Sequence, residues 1–446
     1  MRCHNLWRRL VLTCAGVAVS LWFVHQLFGH SPAFRLSTGD NLRLSLGLTR
    51  TSMISSANVR VVNAVRVTFP GGERAGTILL HGENPGHALL STRLFGVIPW
   101  RPVQVQVVPK QFVVIGGQSI GVRLSMDGVL VVGYQRIAQA GSPAAAAHVE
   151  IGDTLETVNN HRVYTALDVQ RWVNQIPGDV RLTLRRGHVR RTVQVRPVED
   201  ELHNRRLGLF VRDRTSGVGT LTFYDPQQRR FGALGHIITD ADTGQPIQGE
   251  GSVYNAEVTG IVKGASGQPG EKTGRFVASD GIIGHIETNT PYGVFGVMTV
   301  PPPPAAASVL PVAVPEQVHS GPATIMTVLH GQKVERFAVE IQELVHQDVP
   351  ATKSLVIHVT DPRLLKESGG IVQGMSGSPI IQDGKLVAAV THVFVSDATR
   401  GYGVYAYWML DAERHKAVVT VHKDTENQVA VSNCVEFNHM AAKSIS

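Results

Sequence analysis

The chain has 446 residues, of which 43% are hydrophobic and 17% charged, with 45 glycines and a formal net charge of +7. That apolar share excludes wholesale disorder. So modest a charge, with neither zinc-finger spacing nor an aromatic–basic RNA motif, gives no case for nucleic acid as a partner. The length suits two or three domains. Frequent glycine with few aromatics favours turns and short strands over long helices, so the chain reads as mainly β.

The N-terminus fixes the compartment. Arg2, Arg8 and Arg9 precede an apolar run from Leu10 to Val24, and no further Lys, Arg, Asp or Glu occurs before Arg35. Residues 1–30 therefore read as a cytoplasmic N-terminus and a transmembrane signal anchor. Ser31 and Ala33 leave a cleaved signal peptide open. On either reading everything beyond residue 30 is exported. The three cysteines, Cys3, Cys14 and Cys434, cannot supply an intrachain disulfide framework.

Residues 31–107 form a β-rich region, with period-two stretches in "VRVVNAVRVTF" and "VQVQVV". From Gly116 the order becomes a strand after a glycine loop, "SPAAAAHVEIGD", a helix, and a basic hairpin turning at Gly187. Thr165 with Asp168 makes a capping box, and Val169, Trp172 and Val173 make an apolar face. Residues 108–198 resemble a PDZ domain. The resemblance implies that the backbone amides of Ser119, Ile120, Gly121 and Val122 hold a ligand's C-terminal carboxylate while the ligand adds as a strand. Ala147-His148 departs from that family's usual Ala-Gly step. The hairpin bearing Arg181, Arg185, Arg186, Arg190, Arg191 and Arg196 reads either as a solvated strand face or as a surface for anionic lipid.

After Glu199-Asp200-Glu201 come glycine-punctuated short strands, interrupted by "PPPPAAA" at Pro301, and residues 199–425 fit a barrel or sandwich. Residues 426–446 are a polar tail. The stretch Gly374-Met375-Ser376-Gly377-Ser378-Pro379 leads into Ile380-Ile381, an Asp383-Gly384 turn and a second strand, which is a strong hairpin signal. It resembles the Gly-Asp-Ser-Gly-Gly-Pro turn of trypsin-like serine peptidases, so Ser376 falls at the nucleophile. Gly374 and Ser376 would then supply the oxyanion amides. A serine needs a base. His236, His285, His358 and His392 are the candidates, and His236 stands at a separation suited to a two-barrel peptidase.

The export segment, the PDZ-like region, "ALGHIITD", "VTDPRLL" and "GGIVQGMSGSPIIQDGKLVAAVTHVFV" together resemble the SpoIVB peptidase family. These are self-cleaving serine peptidases of a sporulation checkpoint in spore-forming Firmicutes. The resemblance implies a trypsin-like β-barrel with catalytic Ser376, His236 and Asp361. Asp361 lies unusually close to the serine in sequence, and Asp280 suits barrel geometry better, so both stay open. The resemblance implies no metal or other cofactor. It further implies secretion across the forespore membrane into the intermembrane space. The implied protein substrates are the chain itself and a membrane-anchored regulator of an intramembrane protease. The rival reading is a non-catalytic scaffold that signals through its PDZ domain. An esterase is disfavoured because Ser378 breaks the Gly-x-Ser-x-Gly elbow.

Overall fold

The computed structural model describes residues 33–415, less 46–54, 57–59, 67–76, 92, 95–97, 100–101, 138–140, 266, 303–308, 346 and 348. The anchor expected within residues 1–30 and the tail at 426–446 lie outside the described residues. Among the described residues no helix is long and apolar enough to cross a membrane. The described residues fall in two compact units, one within Met1–Gln111 and Pro311–His319, the other within Phe112–Leu310 and Ser320–Ser446.

In the first unit, Val103–Val108 pairs with Ala33–Ser37 in parallel and with Gly86–Ser91 antiparallel. The alternation of "VQVQVV" turns Val103, Val105 and Val107 onto a core shared with Leu36, Leu80 and Leu90. Glu316 is held by Arg35 at 3.2 Å. Burial raises its pKa above the ordinary carboxylate range.

The second unit contains two closed rings of six strands. Its strands of four or more residues are β1 (Phe112–Ile115), β2 (Ser119–Tyr134), β3 (Thr154–Val158), β4 (Val180–Arg186), β5 (Val189–Val195), β6 (Leu209–Asp225), β7 (Arg230–Ala233), β8 (Gly251–Val262), β9 (Glu271–Phe276), β10 (Ile282–Thr290) and β11 (Gly293–Met298). They continue with β12 (Gly321–Val328), β13 (Val334–Leu344), β14 (Leu355–Val359), β15 (Pro379–Gln382), β16 (Lys385–Phe394) and β17 (Asp397–Tyr405). The first ring runs β2-β8-β10-β11-β7-β6 and closes by pairing of β6 with β2. Ile120, Val122, Leu221, Phe231, Val253 and Ile286 are buried in it. The second ring is β12-β13-β14-β17-β16-β15. Asp383 and Gly384 both have positive φ, the conformation that the expected tight hairpin turn between β15 and β16 requires.

The PDZ-like unit does not precede the barrels; it is inserted into the first one. β2 and β6 are both long enough to serve two layers. Ser119–Ser125 pairs with Arg214–Thr220 in the barrel, and Leu130–Tyr134 pairs with Leu209–Arg212 in the PDZ-like unit. A bulge at Met126–Val129 marks the passage, with Gly128 at φ +108°. The inserted core includes Val129, Val131, Leu155, Val173, Leu182 and Leu207. Its boundaries therefore lie inside the two strands, rather than at the expected residues 108 and 198.

Helix α1 (Pro143–Ala146) starts at Ser142, and helix α2 (Ala166–Gln175) carries the expected capping box of Thr165 and Asp168. In the basic hairpin, Arg185 and Arg190 pair with Glu156, Arg186 with Asp153 and Arg196 with Asp179. These arginines neutralise acids of their own sheet and helix turn, in keeping with the solvated-face reading.

Arg212 of β6 forms ion pairs with Asp240 and Asp242, and the Asp240 carboxylate is wholly buried. That carboxylate also accepts from the amides of Asp242 and Thr243 at 3.1 and 2.9 Å. Removing its cation strands a buried charge. Arg212→Ala is expected to lower stability by about 2 kcal/mol, discounted from larger buried-pair values because Arg212 is partly solvated. Adding Asp240→Asn should recover part of the loss. Urea unfolding midpoints of the full chain check this, and an unchanged Arg212→Ala midpoint would show the pair to be energetically idle.

Candidate active site

The serine turn begins where β9 meets it. Gln373 accepts from the Lys272 amide at 2.9 Å, and its own amide donates to Gly270 at 2.8 Å. Gly374 and Gly377 have φ of +88° and +93°, a region that side chains rarely tolerate. A Cβ on Gly377 would lie 2.1 Å from the Thr220 carbonyl oxygen, so this glycine also makes room for β6. Met375 accepts from the Ser378 amide at 2.9 Å, and the Gly377 amide donates to Val390 at 2.7 Å. Ser376, 7% exposed, donates its hydroxyl to the Thr391 carbonyl at 2.7 Å. Ser378 is fully buried, and its hydroxyl has no hydrogen-bond partner among the described residues.

His236 is delivered from the other barrel. β7 is followed by Leu234 and Gly235, both left-handed, with φ of +69° and +72°. A leucine seldom adopts that conformation. It is held by burial and by space: a Cβ on Gly219 would fall 1.9 Å from Leu234 Cδ2. Downstream, the Asn289 side chain accepts from the Ile238 amide at 2.8 Å and donates to the carbonyls of Ile238 and Ile247 at 2.8 and 3.0 Å. The loop is thus fixed on both sides of His236.

The His236 Nδ1 lies 2.8 Å from the Ile237 carbonyl oxygen. A carbonyl can only accept, so Nδ1 carries the proton and Nε2 is the basic nitrogen. The ring stands 5.0 Å from that of His392, centroid to centroid. Burial, reinforced by the charges of His236 and Lys353, pushes His392 down to about 3, so it stays neutral at working pH. Ser376 reaches Thr391 while His236 lies against the adjacent His392. Ser376 and His236 thus reach neighbouring residues of β16, Thr391 and His392, from two barrels.

The expected carboxylates are engaged elsewhere. Asp361 caps helix α3 (Pro362–Ser368), accepting from the amides of Arg363 and Leu364 at 2.9 and 3.4 Å and from Ala338 at 3.3 Å. Burial alone would raise its pKa. Hydrogen bonds from the Arg363 side chain and these amides outweigh burial and hold it below the ordinary range. Asp280 is exposed and accepts from Asn255 at 2.8 Å. His285 and His358 lie on β10 and β14, in neither case among the contacts of the serine turn described above.

The peptide-binding assignment is corrected. Ser119, Ile120, Gly121 and Val122 are buried in β2, opposite Thr220 to Gly217 of β6, and from Ile120 onward they also pair with Asn255 to Val253 of β8. A strand paired on both edges has none left for a peptide. One of the strands that pack beside α2 is β6, where the Ala166 amide donates to Asp213 at 3.0 Å at the end of the Leu209–Asp213 part. Among the described residues that part pairs on one edge only, with β2. "RRLGLF" at residues 205–210, a glycine between leucines entering a strand, was the signal for it.

Sequence reasoning also passed over Lys272. It is 3% exposed, donates from Nζ to Thr327 Oγ1 at 2.7 Å, and lays its stem against Gly374. Burial pushes its pKa from 10.5 down to about 7.

Two barrels that present a serine turn and a histidine to one another define a serine peptidase architecture. Residues 203–410 match the family model described as SpoIVB peptidase S55, so that part of the chain is similar to this family. No curated protein matches the chain. Among solved structures, the Rv3671c protease from M. tuberculosis in its active form is 17% identical. The match covers 50% of this chain and 80% of that one, with a TM-score of 0.27. Its inactive form is 16% identical, over 45% of this chain and 85% of that one, with a TM-score of 0.26. The PDZ domain of an SdrC-like protein from Listeria monocytogenes is 14% identical, over 20% of this chain and 90% of that one, with a TM-score of 0.17. These are similarities over parts of the chain and say nothing about its reaction.

The buried Lys272 predicts an inverted pH response. With a folded pKa near 7 and an unfolded value near 10.5, folding is penalised increasingly as pH falls through that window and fully at pH 7 and below. Lys272→Met should therefore stabilise the protein most at or below pH 7, with the gain fading towards pH 10.5. Urea midpoints of both proteins from pH 6 to about 10.5 check this. A gain that does not vary with pH would refute the neutral-lysine assignment.

Proposed function

We propose that the chain is an exported serine endopeptidase, tethered through its N-terminal apolar segment, that cleaves itself and a membrane-anchored regulator of an intramembrane metalloprotease. In this reading the cleavage triggers late sigma-factor activation during sporulation, from the intermembrane space around the forespore. The similarity of residues 203–410 to the SpoIVB peptidase family model supports the biological setting. The observation that carries the chemistry is the convergence of Ser376 and His236 on the Thr391–His392 segment.

Ser376 Oγ turns from the Thr391 carbonyl, gives its proton to His236 Nε2 and bonds to the substrate carbonyl carbon. The carbonyl oxygen takes the negative charge and is held by the amides of Gly374 and Ser376. Collapse breaks the C–N bond, and the leaving amine takes the proton from His236. Water then repeats the sequence on the acyl-enzyme, restoring Ser376. In the geometry at hand the Ile237 carbonyl holds the imidazole tautomer, while family resemblance gives that role to Asp361. Substrate or self-peptide docks as a strand beside Leu209–Asp213 in the PDZ-like unit.

Ser376→Ala is expected to abolish self-cleavage in the purified full chain, with a loss of several orders of magnitude. Ser378→Ala should remain active with an unchanged or higher melting temperature, since it removes a buried hydroxyl that has no partner. An inactive Ser378→Ala beside an active Ser376→Ala would overturn the register.

Asp361→Asn and Asp280→Asn separate the orienting groups. Loss of an orienting carboxylate lowers kcat by about 10⁴. Loss of a helix cap costs roughly 1 kcal/mol of stability. The present geometry favours a drop below tenfold for Asp361→Asn with a lower melting temperature, and no change for Asp280→Asn. A fall of about 10⁴ for Asp361→Asn in a folded protein would assign that carboxylate to His236 instead.

A further inference from the structure

The serine turn is anchored by a strand that the catalytic reading does not use. Thr220 and Thr222 of β6 are both fully buried. Thr220 Oγ1 donates to the Gly374 carbonyl and Thr222 Oγ1 to the Gly377 carbonyl, each at 2.8 Å. The Thr220 amide donates to the Ser376 carbonyl at 3.0 Å, and its carbonyl accepts from Leu234 at 3.2 Å, two residues before His236.

With Gln373 and Met375 held as described, every carbonyl from residue 373 to 377 has a fixed partner. A peptide unit is planar and trans, so fixing its carbonyl fixes the opposed amide. Thr220 holds both planes that flank the one carrying the Ser376 amide, Gly374–Met375 through its hydroxyl and Ser376–Gly377 through its backbone amide, while the Thr222 hydroxyl holds the next plane, Gly377–Ser378. Gly374 and Gly377 are the residues whose backbones have most freedom, and theirs are the carbonyls that the two hydroxyls hold. Valine would serve the strand and fill the same space equally well. The hydroxyls are accounted for only by the turn.

We propose that Thr220 and Thr222 are positioning residues for the hydrolysis, their hydroxyls locking the turn at its two glycines and so fixing the path of the backbone that carries the nucleophile and the oxyanion donors. The inference rests on the reading of Ser376 as nucleophile. Because β6 is continuous with Leu209–Asp213, it also places the anchor of the turn on the strand that borders the PDZ-like groove.

The test uses the full chain and an alkyl fluorophosphonate, whose phosphoryl oxygen must enter the oxyanion site as Ser376 is labelled. Thr220→Val and Thr222→Val should each slow maximal labelling roughly tenfold to a hundredfold, with the half-saturating concentration changed less than about threefold. Thr220→Ser and Thr222→Ser should label within about threefold of wild type. If the valine variants do not fold, the alanine and serine variants, which differ only by the hydroxyl, replace them. Equal labelling by valine and threonine, or by alanine and serine, overturns the inference. Ser376→Ala must not label; if it does, the nucleophile assignment fails, whatever the threonine variants show.

Discussion

From Ser119 to Tyr134, β2 runs antiparallel to β6, and that one ladder belongs to two folding layers at once. Its first half closes a barrel whose wall bears the histidine loop. Its second half forms part of the PDZ-like sheet. Buried backbone groups must be paired, so neither layer can move along the ladder without breaking bonds in the other. The position of the serine turn follows, because β6 presents Thr220 to it from one side and supports Leu234 from the other. The strand pairing is therefore the frame that holds the serine turn and the histidine loop in register.

Within that frame the serine and the histidine are shielded from solvent. His392 is a neutral imidazole, and Ser376 and His236 are buried. Thr391 holds the serine hydroxyl through its carbonyl. In low dielectric the preorganised dipoles of backbone amides and carbonyls act with little screening. Lys272 fits the same pattern: the interior lowers its basicity rather than supplying a counter-charge.

The local chemistry was legible in the sequence wherever a rule acts over a few residues. The Asp383-Gly384 turn, the Thr165–Asp168 capping box and the alternation of Val103, Val105 and Val107 all depend on neighbours along the chain. The Gly-x-Ser-Gly turn was legible because the conformation it needs admits little but glycine at two positions. What escaped reading depends on pairing between distant segments. Ser119–Val122 has the local look of a carboxylate loop, yet β8 covers the edge it would have offered. Asn289, Lys272 and the threonines of β6 carry no local signature, since each is defined by the carbonyl, hydroxyl or turn it meets across the fold. Asp361 is readable equally as a helix cap and as a catalytic carboxylate, because Asp-Pro before a helix satisfies the first without excluding the second.

The insertion also sets an order of events during folding. Ser119 and Thr220 are neighbours in the sheet but far apart in the chain, and closing so long a loop from an unfolded state is entropically unfavourable. If the inserted unit forms first, its own part of the ladder brings the two strands side by side, and the barrel has only to extend a pairing already begun. Maturation of the peptidase is then kinetically gated by the folding of its insert. A newly made chain would remain without a formed serine turn until that insert had closed.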